Sequence, residues 1–332
     1  MTVRHFFAPW VYPEKILLSE QFNYGHREIL LSTCSLAPDL LFLSSLQHGW
    51  MFDRSQTPVI KRRNLLNYPV MVWSQRIAKE MRKHGNKRVL VSGSPWAHLV
   101  RACGINLSIL HQTLNTVEKV LFFPSHSAPG ASVSHDNSIQ KLAQEYGNEN
   151  ITVCLFWIDF INPEIRSYYT KFKVELTCLG FRGSSGFETP WAPTGGRVMF
   201  LPNLLELISG HTIVAVNDVS TPFWYAITLG KRVLVTSEEE KVRVWNRNTY
   251  VDEILSYNLA VTDVEGLPKF PIGEVIQPSS EIHQLALQEV GWYESESFWN
   301  ANLEANITKR VDIDPDLVQP IHQFISSQKS RG

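Results

Sequence analysis

Short apolar runs recur from about Leu40 to Val235, and segments of helical period separate them. That alternation predicts an α/β architecture with mainly parallel sheets. In the first series, Leu40–Leu43, Pro69–Trp73 and Arg88–Val91 read as strands. Between them Ser74 caps a helix running to Lys83 and stopped by His84-Gly85. Ser94, followed by Pro95, opens another, since a missing N–H costs nothing in the first turn. A second series places strands at Lys119–Phe123, Ile151–Trp157, Val174–Cys178, Ile213–Val216 and Arg232–Val235. Its helices fall near Ser138–Tyr146, Pro163–Phe172 and Pro202–Ser209. Past Ser237 the alternation ends. Ser279–Val290 and Pro315–Ser327 read as helices, with Trp292, Tyr293, Phe298 and Trp299 clustered between them.

The stretch from His211 to Ser237 is the most informative. It reads as strand, polar turn at Asn217-Asp218, helix, glycine stop at Gly230 and strand. Ser220 or Thr221 caps the helix, and Pro222 takes its first position. A polar turn at the end of a parallel strand, leading into a helix N-terminus, suits a phosphate. The commoner meaning of such a cap, taken alone, is a helix start with no ligand.

The expected division is an N-terminal Rossmann-like unit over residues 1–112, a second over 117–285, and a helical tail over 286–332 packing back across both. The looser segment Asn106–Thr116 is the expected link. Gly180–Gly196 holds too much Gly, Pro and Ser for a packed element, and reads as a loop at the ligand edge of the sheet or an ordinary surface excursion.

Composition narrows the classes. A length of 332 residues, 44% hydrophobic and 19% charged, suits a globular protein with two cores. A net charge of −1 gives no global attraction to nucleic acid or membrane. The run Lys61-Arg62-Arg63 is too short to change that, though it suits a solvated loop or an anionic substrate. Cys34, Cys103, Cys154 and Cys178 lack CxxC spacing, so neither a disulfide framework nor a zinc site is expected. No secretion signal and no membrane-length apolar run is read, which points to the cytoplasm and leaves peripheral membrane association open.

Four segments carry a resemblance: LQHGW (Leu46–Trp50), VWSQRIAKEMRKHG followed by VSGSPW, LFFPSHS (Leu121–Ser127), and NDVSTPFWYAITLGKRVLV. In order and spacing they resemble bacterial surface- and capsular-polysaccharide transferases of the GT-B fold, which include sialyl-, Kdo- and glycerophosphate-transferring enzymes using cytidine-activated donors. The resemblance spans most of Leu46–Val235. It implies that His126, Ser220 and Thr221 contact the donor phosphate; Asn217 and Arg182, each after a strand, are further candidates for the donor site. The chain departs from the pattern in two places. His126-Ser127 stands where His-Pro is usual, and Phe223-Trp224-Tyr225 offers no carboxylate for ribose hydroxyls, which counts against a uridine donor held in the common way.

Glycosyl transfer needs the departing phosphate stabilised, an acceptor hydroxyl activated and water excluded. No DxD-like dyad stands out, so no metal and no cofactor is expected, and helix amides, hydroxyls and an imidazole take the phosphate's charge. His126 can donate to the phosphate, or simply bond its own turn. His48, at a strand end beside Gly49, is the candidate base, with Asp53 orienting it or acting in its place. Asp159 and Arg182 follow strands and suit either ligand contact or surface salt bridges. Trp50, Trp96, Trp191 and Trp224 lie near strand ends, where an indole can stack on a sugar, although packing is the commoner role. The expectation is a metal-independent glycosyltransferase taking a nucleotide-sugar donor, CMP-linked slightly before UDP-linked, to a glycan or glycolipid acceptor. A non-catalytic nucleotide- or carbohydrate-binding protein, or a nucleotide-sugar epimerase, stands as the alternative.

Overall fold

The computed structural model describes residues 17, 21–50, 68–85, 88–107, 117–127, 131–180, 196–236, 241–244, 267–297, 308–311 and 313–331. Its strands are β1 (Leu40–Phe42), β2 (Ser45–Leu46), β3 (Val70–Val72), β4 (Val89–Val91), β5 (Val120–Phe123), β6 (Ala131–Ser134) and β7 (Ile151–Cys154). After these come β8 (Glu175–Thr177), β9 (Ile213–Val216), β10 (Arg232–Val235), β11 (Lys241–Val244), β12 (Val275–Ile276) and β13 (Thr308–Arg310). The architecture is α/β, with two Rossmann-like parallel sheets and a helical C-terminal segment.

The larger sheet runs β12-β10-β9-β5-β7-β8, parallel except for the β12 edge. Counted along the chain, that is the doubly wound order 3-2-1-4-5-6. Both faces are covered at its centre, so β5 and β9 are continuous apolar runs. On β9, Val214 and Val216 enter one core while Ile213 and Ala215 enter the other, as alternation along a strand requires. The smaller parallel sheet is β2-β3-β4.

One expected strand sits elsewhere. β1 pairs antiparallel with β13, Leu40 opposite Arg310. Only Leu43 and Ser44 separate β1 from β2, and a parallel crossover needs a dozen or more residues.

The two serine caps close as the sequence implies. Ser74 Oγ accepts the Ile77 N–H at 3.3 Å to start Gln75–Lys83, and Ser94 Oγ accepts the Ala97 N–H at 3.1 Å to start Pro95–Ala102. The C-terminal helix Ser280–Glu289 packs against Thr221–Thr228 and Gln75–Lys83, and Gln319–Arg331 packs against His26–Thr33. Backbone meets backbone at this junction. The Ser94 N–H donates to the Val290 carbonyl at 2.9 Å, and a Cβ on Gly291 (φ +69°) would stand 1.9 Å from the Trp73 carbonyl oxygen. Trp96 stacks on Tyr225 at 4.3 Å and Trp50 meets Trp224 at 5.1 Å, all fully buried. These three indoles therefore form core and not sugar platforms; Trp191 lies outside the described residues. No helix among the described residues is long and apolar enough to cross a membrane.

Candidate functional site

In the 3-2-1-4-5-6 order the chain reverses direction across the sheet between β5 and β9. The loops leaving those two strands must diverge, and a crevice opens at their C-terminal ends. A cleft of about 240 Å³ lies there. Ser125 and His126 enter it from β5, and Asp218, Ser220 and Thr221 from β9. Leu155 and Phe156 follow β7, and Leu179 and Gly180 follow β8. The opposite wall belongs to the first half of the chain: Tyr24, His26, His48 and Gly49. Phe200 and Leu204 of the Phe200–Ser209 helix close the side.

His126 stacks on Phe156, with ring centroids 4.4 Å apart. Its Nδ1 lies 2.9 Å from the Ser127 carbonyl oxygen, which can only accept, so Nδ1 carries a proton. Behind it Asp159 is 5% exposed and does not line the cleft; its Oδ2 accepts the Ser127 N–H at 3.0 Å. Burial raises the Asp159 carboxyl, against the Ser127 hydrogen bonds and the nearby His126. Asp159 thus supports the His126 turn from below.

Asn217 also stands outside the cleft lining. Its Oδ1 accepts the Ser125 N–H at 2.8 Å and its Nδ2 donates to Thr236 Oγ1 at 3.1 Å, tying together the loops that flank the crevice. It positions Ser125 and is spent on that.

At the Thr221–Thr228 helix, Ser220 is the N-cap residue, yet its hydroxyl makes no capping bond and is paired with the Asp218 carboxyl. Thr221 is the first helical residue, which moves Pro222 to the second position. The Thr221 hydroxyl accepts the Trp50 N–H at 2.7 Å. That bond brings the His48-Gly49-Trp50 turn onto the helix start. Gln47 stiffens the same turn by donating to the Gly49 carbonyl and accepting the Trp73 N–H, both at 3.0 Å. The Trp50 indole donates to Glu289 Oε2 at 2.6 Å, and Arg76 forks onto both Glu289 oxygens at 2.6 Å.

The cleft therefore brings together His48, His126, Ser220 and Thr221. Asp53 and Arg182 lie outside the described residues, as do Lys61-Arg62-Arg63. Three cleft residues were not read from the sequence. Tyr24 holds a left-handed backbone (φ 57°) beside His26. His26 is 1% exposed, its Nδ1 has no hydrogen-bond partner, and burial with the neighbouring His48 lowers its pKa to about 3. Asp218 is pushed up to about 6 by desolvation, against its bond with Ser220. The Asn-Asp turn was a signal for Asp218; nothing local marks His26. Among the described residues no group of His, Cys, Asp or Glu is placed to hold a metal ion. A cleft lined by three imidazoles beside a helix N-terminus can bind an anion and move a proton near it.

No family model matches the sequence, and no curated protein matches it. Among solved structures, UDP-GlcNAc 2-epimerase from Neisseria meningitidis bound to UDP-GlcNAc is similar at a TM-score of 0.27 and 13% sequence identity. The match covers 76% of this chain and 59% of that one, under two thirds of the epimerase's length.

Proposed function

We propose that the cleft is a nucleotide-sugar site and that the chain is a metal-independent glycosyltransferase of surface-glycan assembly. One observation carries this reading: His48 of the first half and His126 of the second line one cleft with the Ser220-Thr221 helix start, at the switch point of the sheet. In this reading the helix amides and His126 stabilise the departing phosphate, and His48 accepts the acceptor hydroxyl's proton. Asp53 orients His48 or acts in its place, and Arg182 contacts the donor. The missing ribose carboxylate favours CMP over UDP. Residues 1–112 take the glycan or glycolipid acceptor, 117–285 the donor, and 286–332 hold the two together, in the cytoplasm.

Thermal melting with CMP, CDP, UMP, UDP and GDP, with and without EDTA, tests the reading. A ligand that binds the folded state alone raises the melting temperature by mass action. A shift with a cytidine nucleotide, insensitive to EDTA, is expected; no shift with any nucleotide would defeat it. A second reading, a nucleotide-sugar epimerase, draws on the Asp218 carboxyl joining three imidazoles in the cleft. Interconversion of two UDP-sugars without an acceptor would favour it.

A further inference from the structure

Of the two hydroxyls that the sequence offers to an anion, Ser220 is engaged with the Asp218 carboxyl, while the Thr221 oxygen accepts the Trp50 N–H and keeps its own proton to donate. Asp218 stands just before the Thr221–Thr228 helix and lines the cleft, so the chain places its own negative charge where an incoming anion would be held. Among the described lining residues there is no Lys or Arg to offset a second charge. The site nevertheless looks toward a ligand, because His26 lines it, nearly fully buried, with Nδ1 lacking a partner.

We propose that Asp218 is a proton-linked gate: a phosphate- or sulfate-type anion settles at this helix start as the Asp218 carboxyl takes up one proton from solvent. The proposal rests on the reading that the cleft receives a phosphate-bearing ligand. The energetics agree in direction. A carboxyl already raised to about 6 by burial is cheap to protonate near neutrality, and a neighbouring anion raises it further. Once neutral, the carboxyl can donate a hydrogen bond to the anion, and the Ser220 hydroxyl is released to do the same. The other titratable groups facing the cleft are Tyr24, His26, His48, His126, Cys154 and Tyr225. Burial keeps His26 neutral and lifts the Cys154 thiol and Tyr225 phenol out of range. His48 and His126 also line the cleft, and an Asp218 variant retains both.

The test compares the protein with Asp218→Asn by calorimetry, using sulfate, CMP, CDP and UDP as probes from pH 5.5 to 8.5. Sulfate does not titrate in that window, so it separates the protein's protons from the ligand's. Expected is an affinity ratio, variant over parent, that rises toward about tenfold per pH unit above the gate's pKa. Buffers of differing ionisation enthalpy should show one more proton taken up by the parent than by the variant. Ser220→Ala removes the bond that lowers the Asp218 pKa, so the parent's affinity drop should move to higher pH. It also serves if Asp218→Asn fails to fold. Parallel pH profiles and equal proton uptake would overturn the gate while leaving the nucleotide site standing. Absence of binding by every probe to folded protein at every pH would overturn both.

Discussion

Two buried imidazoles make the acid behaviour of this protein predictable. His26 and His98 are held at about 3 and about 4, chiefly by desolvation, against 6.5 for an unburied histidine. Both remain neutral in the folded state while the unfolded chain takes up protons. Stability is therefore complete above pH 6.5 and falls as the pH drops below it, by about 2 kcal/mol per residue at pH 5. Urea midpoints at pH 7.5 and 5 should record that loss, and His26→Gln should remove its share of the slope. His48 is expected to behave differently. His48→Ala should retain nucleotide binding in a melting assay and lose turnover by roughly a hundredfold or more. Unchanged turnover would remove it as the base. The sequence showed His48 and His126 because each sits in a recognisable strand-end turn. It did not show His26, whose importance comes from the cleft it lines together with His48, His126 and Phe200. It also marked Trp50, Trp96 and Trp224 as possible platforms, since a turn position alone does not reveal whether an indole faces water or core.

Helix starts separate local from tertiary information. Ser74 and Ser94 were legible as caps because the bond each makes is made within four residues of itself. Ser220 has the same pattern and makes no such bond; Pro222 at the second position has no N–H to give, and the hydroxyl pairs with Asp218. Ser94→Ala should therefore cost about 1 kcal/mol through the lost cap, whereas Ser220→Ala, which removes a bond to a buried carboxylate, should cost about 1–2 kcal/mol at neutral pH and less once Asp218 is protonated. Chemical denaturation of the two variants checks the contrast. Glycine shows a related limit. Gly291 was unremarkable in the sequence, yet its α-carbon abuts Gly93 and the Trp73 carbonyl, with no room for a methyl. Gly291→Ala should lower the melting temperature by several degrees or prevent folding, since both the positive φ and the 1.9 Å contact oppose it.

Across the whole molecule, the parallel character of the larger sheet followed from the alternation of strands and helices, whereas its strand order and the closure of the smaller half did not. Glu289 links the C-terminal segment to Arg76 and Trp50, and it is 1% exposed. Glu289→Leu alone should cost roughly 3 kcal/mol by removing the acceptor shared by Arg76 and the Trp50 indole, and Arg76→Met added to it should cost less than the sum of the two single changes. A double-mutant cycle on unfolding free energy reads that coupling. The pairing of β1 with β13 reaches further still, from Leu40 to Arg310, with Arg310 also bridging Asp39. A ribosome delivers the chain from its N-terminus, so every strand of the larger sheet has emerged before Thr308 does. The first half of the protein is thus the last to be finished, and until then the Leu40–Phe42 edge waits without its partner during translation.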